Sequence, residues 1–309
     1  MAQYDVIIVG AGPAGMTAAI YAARAGQSVL LLDKLAPGGQ IINTNEIQNY
    51  PGVGTINGAE LAYQMFEHTR QFDNITFDYG TVREIQGIGS EKKVLCVEKD
   101  KEFTGKALIL ATGTRPRRLE VPGEDRFCGN GISWCAICDG PRYRDQDVVV
   151  IGGGNSAVEE SIFLAGFVKS LTIITMLDLT ADPIACEELH SMDHVTIYPY
   201  QEILGFAGDT KLTGVHFKSA ETGEEHTVSC DGVFEYIGLT PSTEYLRDLN
   251  ILNSDGYLEV DEKMHTRVKG IFGAGDCVTK NLRQVITACA DGAVAAQEAA
   301  HFVRSRKDL

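Results

Sequence analysis

One short run restricts the fold of this chain more than any other: Gly10-Ala11-Gly12-Pro13-Ala14-Gly15, set between the apolar stretch Tyr4 to Val9 and the Ala-rich stretch Met16 to Ala25. The first stretch is rich in Val and Ile with little alternation, as a strand buried on both faces of a parallel sheet requires. Beyond the Ala-rich stretch, Ser28 to Leu32 supplies a second apolar strand that closes on Asp33. Strand, glycine turn, helix, strand and acid is the order of a unit that receives a dinucleotide. The first glycine makes the tight turn, the second lets backbone N–H groups approach a pyrophosphate, the third lets helix and strand pack closely, and the acid accepts from a ribose. The competing reading is a tight turn with no ligand, and the complete order of strand, helix and acid weighs against it.

The pattern recurs. Val148 to Ile151 leads into Gly152-Gly153-Gly154-Asn155-Ser156-Ala157, a helical stretch to about Gly166 and a strand from Leu171 to Thr175. Two such units predict two nucleotide-type domains, and 309 residues exceed what one core usually organises. A third strand-to-turn segment, Gly270 to Asp276, lies near the C-terminus. A hydrophobic content of 44% gives no sign of disorder. No run of about 18 apolar residues is present, which argues against a membrane span. The start MAQYDVIIVG enters a strand pattern without the zones of a signal peptide, so the expectation is a cytoplasmic protein. A net charge of -15 disfavours nucleic acid as a partner.

Of the eight cysteines, at 96, 128, 135, 138, 186, 230, 277 and 289, only Cys135 and Cys138 are closely spaced. Two intervening residues bring both sulfurs within disulfide reach on a helix N-terminal turn, where the helix dipole favours thiolate. Zinc is the rival, discounted on the expectation that no second CxxC or HxxxH completes four ligands. The other cysteines read as small buried hydrophobes. Around the pair, Arg115 to Arg144 holds six arginines against four acids, a local cationic excess in an acidic chain.

The succession of GAGPAG, Pro37-Gly38-Gly39-Gln40, Asn49-Tyr50-Pro51-Gly52, Ala111-Thr112-Gly113, Cys135-Ala136-Ile137-Cys138-Asp139-Gly140, GGGNSAVEE, GAGD and Arg283-Gln284 resembles the low-molecular-weight thioredoxin reductases over essentially the whole chain. The resemblance implies an α/β fold of two nested Rossmann-like three-layer domains. A discontinuous FAD-binding domain would comprise residues 1–115 and 246–309, and an inserted pyridine-nucleotide-type domain, residues 116–245, would carry the cysteines. The crossings at Gly113 to Pro116 and Gly238 to Ser242 are rich in Gly, Pro, Thr and Ser, as hinges can be.

By the same resemblance, Cys138 faces the flavin, Cys135 attacks the disulfide of thioredoxin, and the chain forms a homodimer. Asp139 would be the acid and base, since a leaving thiolate needs a nearby proton donor; helix capping is the other reading of this residue. Gly10, Gly12, Pro13, Ala14 and Gly15 would face the FAD pyrophosphate, Asp33 the adenosine ribose, and Gln40 and Asn49 the ribityl or ring edge. Asp276 would meet the ribityl and phosphate region, and Arg283 with Gln284 the ring and its surroundings. Lys34, Gly39, Val82, Thr112, Gly113, Gly275 and Val285 complete the implied contacts. No metal is implied.

The chain departs from the family at the second unit. Gly15 to Asp33 spans 18 positions and so does Ala157 to Thr175, which puts Thr175 where the ribose is read. NADP use wants arginines just after that position, and the family's NADPH pattern is His-Arg-Arg followed by another Arg. Here Thr175 to Pro183 contains none, and no arginine occurs between Arg144 and Arg247. At about 1.5 to 3 kcal/mol per charge-assisted contact, losing two weakens NADPH binding by about a hundred- to ten-thousand-fold. Asp178 and Asp182 add repulsion.

This pattern resembles the ferredoxin-dependent flavin thioredoxin reductases. A ferredoxin at about -400 mV lies some 130 mV below thioredoxin at about -270 mV, downhill by about 6 kcal/mol for two electrons. The Arg115–Arg144 cluster could receive an acidic ferredoxin, serve thioredoxin, or stand solvated. Three alternatives remain: an NAD(P)H-dependent reductase with atypical contacts, a dithiol oxidase using oxygen, and a non-catalytic flavin-binding redox sensor, the last opposed by the intact CxxC-Asp. The tail His301 to Leu309 would cover the flavin or the other subunit, or fray.

Overall fold

The computed structural model describes residues 3–44, 47, 49–87, 91–98, 101–134 and 136–306. The chain divides into two compact α/β units, Met1–Arg115 with Thr240–Leu309, and Pro116–Leu239.

The first unit opens with β1 (Gln3–Val9), α1 (Pro13–Arg24) and β2 (Val29–Asp33). It continues through α2 (Gly58–Thr69), β3 (Ile75–Tyr79), β4 (Val82–Gln86), β5 (Lys92–Cys96) and β6 (Glu102–Leu110). The helix predicted from Met16 begins at Pro13, because proline's missing N–H is no loss in a first helical turn and its φ is already helical. Strand β7 (Thr114–Pro116) leads out of this unit. The second unit follows with α3 (Glu124–Phe127), β8 (Ile132–Ser133), α4 (Ala136–Asp139), β9 (Asp147–Ile151), α5 (Asn155–Ala165) and β10 (Ser170–Ile174). Then come α6 (Pro183–His190), β11 (Val195–Tyr198), β12 (Gln201–Gly208), β13 (Leu212–Ser219), β14 (Glu225–Ser229) and β15 (Gly232–Glu235). Strand β16 (Leu239–Pro241) returns the chain to the first unit, which ends with β17 (Ile271–Gly273) and α7 (Val285–Ser305).

In the first unit β3, β2, β1, β6 and β17 run parallel in that order, and β5 and β4 extend the sheet antiparallel from the opening half of β6. Along β1, Val6 and Ile8 join one core and Ile7 and Val9 the other. That two-sided burial is why the strand reads as an unbroken apolar run. Small residues let α1 and α7 pack against each other: a Cβ on Gly292 would lie 2.1 Å from the Ala14 carbonyl oxygen.

The second unit repeats the plan with β11, β10, β9, β15 and β8 in a parallel sheet. Val148, Val150 and Phe234 pack with Ala157, Val158 and Leu164 of α5 on one face. Val149, Ile151 and Val233 pack on the other face with Phe206, Val215 and Phe217 of the antiparallel β12-β13-β14 sheet. No helix among the described residues is long and apolar enough to cross a membrane.

Candidate active site

The turn between β1 and α1 is built by three glycines with different causes. Gly10 sits at φ +105°, and a Cβ there would lie 2.2 Å from the Ala111 oxygen. A Cβ on Gly15 would lie 1.7 Å from the Gly10 oxygen. The protein's own backbone therefore excludes side chains at both. Gly12 is different: its φ of -77° and ψ of -175° suit any residue, and a Cβ would meet only the Gly39 Cα, at 3.8 Å. Nothing in the protein requires glycine there, so the open space over the first turn of α1 points to a ligand that approaches the backbone closely.

Asp33 closes the turn, its Oδ2 accepting from the Ala11 N–H at 2.6 Å and its Oδ1 from the Leu35 N–H at 3.0 Å. A crevice of about 210 Å³ within this unit is lined by Gly10, Asp33, Lys34, Val82 and Thr112, with Tyr245 among its other walls. Gln40 donates to the Thr114 oxygen at 3.2 Å, and Asn49 donates to Gln284 Oε1 at 3.0 Å. Gln284 caps α7, whose first residue is Val285. Arg283 stacks 4.4 Å over the Tyr257 ring and donates to the Asp276 carbonyl at 3.3 Å. Asp276 Oδ1 and two hydroxyls within reach of each other, Thr112 Oγ1 and that of Tyr245, are buried without a well-aligned hydrogen bond. Burial pushes the Asp276 carboxyl above the usual carboxylate range, against the pull of Lys280 and Arg283.

In the second unit the glycine turn has the same division of labour. Gly152 lies at φ +131°, with the Tyr236 oxygen 2.3 Å from where its Cβ would be, whereas a Cβ on Gly154 would meet nothing within 4 Å. The segment after β10 folds over this turn: the Thr180 N–H donates to the Gly153 oxygen at 2.7 Å and the Asp182 N–H to Asn155 Oδ1 at 2.9 Å. Thr175 is buried, while Met176 and Leu177 are 69% and 60% exposed. The segment thus offers apolar side chains and aspartates where a 2′-phosphate would want cations.

Of the cysteine turn, Ala136–Asp139 forms α4. Cys135 and the side chain of Cys138 fall outside the described residues. Their surroundings are defined: Ser133 Oγ donates to Asp139 Oδ2 at 2.7 Å, Arg142 pairs with Asp139 at 3.3 Å, and the Ala136 N–H donates to the Tyr236 hydroxyl at 2.7 Å. No N-cap bond is made by the Asp139 side chain to the short turn that follows, Gly140–Tyr143.

Two nucleotide turns and a cysteine pair on one chain match a single family model over nearly its whole length: that of the pyridine nucleotide-disulphide oxidoreductases, over residues 4–292. The thioredoxin reductase of Bacillus subtilis (strain 168) is 41% identical over 312 residues, covering 99% of this chain and 96% of the relative. The crystal structure of Lactococcus lactis thioredoxin reductase superimposes with a TM-score of 0.88 at 42% identity, covering 98% of this chain and 99% of that one. The chain belongs to the thioredoxin reductase family.

This reductase is an FAD-dependent disulfide oxidoreductase. A ferredoxin-flavin thioredoxin reductase from Clostridium acetobutylicum is also similar, at 25% identity and a TM-score of 0.55 over the full length of both chains. By identity the chain therefore stands nearer the plain thioredoxin reductases than the ferredoxin-flavin one, contrary to the expectation from its missing arginines. The first unit suits a flavin dinucleotide: Gly10, Asp33, Lys34 and Thr112 line its crevice, the free space at Gly12 suits a pyrophosphate, and Asp276 Oδ1 is buried without a protein partner.

The structure also shows residues that sequence reasoning missed. Asp291 accepts from the Gly275 N–H at 3.0 Å and pairs with Lys280, fixing the turn that presents Asp276. Only the fold brings α7 to that turn. Three of the six arginines of Arg115–Arg144 are held in ion pairs: Arg115 with Glu244, Arg118 with Glu124 and Asp125, and Arg142 with Asp139. His190 and His194 have zinc-type HxxxH spacing, but His190 turns to the Cys186 oxygen and His194 to the Ala165 oxygen. No group of metal ligands forms among the described residues.

Proposed function

We propose that this reductase passes electrons through FAD to a Cys135–Cys138 disulfide and on to the disulfide of thioredoxin, with a donor other than NADPH. One observation carries the donor half: the segment Thr175 to Pro183, folded over the second glycine turn, holds no cation and presents Asp178 and Asp182. The proposed donor is reduced ferredoxin. NADH is a second reading, favoured by the open space at Gly154.

In this scheme residues 1–115 and 246–309 hold FAD, with Gly10 to Gly15 and Pro13 at N1 of α1 at the pyrophosphate, Asp33 with Lys34 at the ribose end, and Gly39, Gln40, Asn49, Val82, Thr112, Gly113, Gly275, Asp276, Arg283, Gln284 and Val285 around the remainder. Bound flavin supplies a two-electron couple. Residues 116–245 carry the dithiol: Cys135 attacks the thioredoxin disulfide, the mixed disulfide is resolved by Cys138, and both electrons leave as the thioredoxin dithiol. Asp139, held by Ser133 and Arg142, moves the proton that accompanies thiolate formation. The likeness to the family also supports a cytoplasmic homodimer.

The test is anaerobic mixing of the purified holoenzyme with reduced ferredoxin, NADPH or NADH in turn, following flavin absorbance and thioredoxin dithiol. Bleaching by ferredoxin with dithiol formation is expected. Stoichiometric bleaching by NADPH overturns the donor assignment, and stoichiometric bleaching by NADH selects the second reading.

A further inference from the structure

The parallel pairing of β15 with β8 sets Val233 against Ile132 and Phe234 against Ser133. Continued by one step, that register brings Glu235 alongside Trp134, and Tyr236 follows. Successive side chains on a strand point to opposite faces, so the two residues reach different partners. The Tyr236 hydroxyl accepts the Ala136 N–H at 2.7 Å, and Ala136 is fully buried. Glu235 is 2% exposed. Its carboxyl lies within reach of the Glu124 carboxyl and the Trp134 indole, yet both its oxygens and Trp134 Nε1 are buried without a well-aligned hydrogen bond.

A buried carboxyl with no firm partner on a core strand is costly and calls for a cause. We propose that Glu235 and Tyr236 are positioning residues of the redox turn, holding the residues before and after Cys135 in sequence, Glu235 through Trp134 and Tyr236 through Ala136. This rests on Cys135 and Cys138 being the redox pair. No bond to sulfur is made or broken by either residue; their effect is on where the turn sits.

The two halves respond differently to pH. Glu124 accepts from Arg118 Nε at 3.0 Å and from the Leu119 and Glu120 N–H groups at 3.2 and 2.6 Å. Glu235 faces that carboxylate, with Arg118 and, through Arg118, Asp125 as the remaining charges nearby. While Glu235 keeps its proton it can share it with Glu124. Once ionised it is repelled, and Trp134, over which Arg118 stacks at 5.6 Å, moves with it. Burial, with Glu124 next, pushes the Glu235 carboxyl up to about 8. Tyr236 is held neutral by burial and by Glu160, with Asp139 also nearby, so its hydrogen bond to Ala136 persists across the same range.

Trp134 is the only tryptophan in the chain, so tryptophan emission comes from this position alone. The FAD-loaded full chain is titrated from about pH 6 to 10 with emission and thioredoxin turnover recorded together, for wild type, Glu235→Gln, Glu235→Leu and Tyr236→Phe. Wild type is expected to show one emission transition near pH 8, coincident with a falling limb in kcat. Either Glu235 variant removes both, and the pair of variants guards against one failing to fold. Tyr236→Phe keeps the emission transition but lowers kcat about two- to ten-fold with KM for thioredoxin unchanged, the loss expected for one hydrogen bond. A wild-type emission flat across the range, or a transition and limb retained in a folded Glu235 variant, overturns the proposal. Cys135→Ser separates the two readings: full turnover in that variant removes the redox pair itself, whereas the emission titration does not depend on it.

Discussion

Gly12→Ala separates a glycine kept for a ligand from glycines kept for the fold. At Gly12 the backbone is already in a conformation open to alanine, and the new methyl would sit 3.8 Å from its nearest neighbour, the Gly39 Cα. The unfolded chain loses some freedom, worth about 0.4–1 kcal/mol of stability, while alanine is a poorer N-cap than glycine by a similar amount. The apo-protein should therefore change by less than about 1 kcal/mol. Flavin binding should suffer: the methyl occupies the approach to the backbone N–H groups, and losing one charge-assisted hydrogen bond costs about 1.5–3 kcal/mol, or about 10- to 150-fold in Kd. Gly15→Ala should do the reverse. Its methyl would fall 1.7 Å from the Gly10 oxygen, an overlap with backbone that cannot swing away, costing at least about 1–3 kcal/mol before any ligand is considered. The assay is urea unfolding of deflavinated protein, followed by FAD titration with flavin fluorescence. If Gly12→Ala destabilised the apo-protein as much as Gly15→Ala while binding FAD normally, the open space at Gly12 would have nothing to do with a pyrophosphate.

Met176→Arg with Leu177→Arg, placed on exposed side chains, should tighten NADPH binding by about ten-fold or more without a change in unfolding midpoint, measured by nucleotide titration. Because burial raises Glu235 from its ordinary 4.5 to about 8, the folded chain keeps a proton that the unfolded chain releases. Stability is then full below about pH 4.5 and falls as pH climbs toward 8, by on the order of a few kcal/mol. Glu235→Gln should flatten that decline in urea midpoints taken between pH 5 and 9, and an unchanged slope would place the titration elsewhere. Glu160, raised to about 7 by burial and then Glu159, contributes in the same direction, so Glu160→Gln should remove a separate, lower part of the slope.

Much of the site was legible because it is local. Glycine turns, the acid that closes the first of them and the CxxC spacing are consequences of a few consecutive residues, and Gly15 carries its cause within the turn itself, against the Gly10 oxygen. The missing arginines after Thr175 were equally plain. Hidden from sequence were contacts closed over long separations: Asp291 on the Gly275 turn, Gln284 on Asn49 across 235 positions, and Tyr236 on Ala136 across 100. The pairing within the cationic stretch was hidden for the same reason. Charge counted along a chain does not reveal that Arg115 meets Glu244 or how Arg118 is divided between Glu124 and Asp125.

By itself, then, the order of residues determined the α/β character, the two nucleotide turns, the pair of cysteines and the family, since strand and helix periodicity and turn chemistry are short-range properties. The tertiary structure alone decided which polar groups are buried without a well-aligned hydrogen bond, among them Asp276 Oδ1 in the first unit and the Glu235 carboxyl beside Trp134 in the second. Desolvation depends on everything that surrounds a group in space, and neighbours in space are not neighbours in sequence.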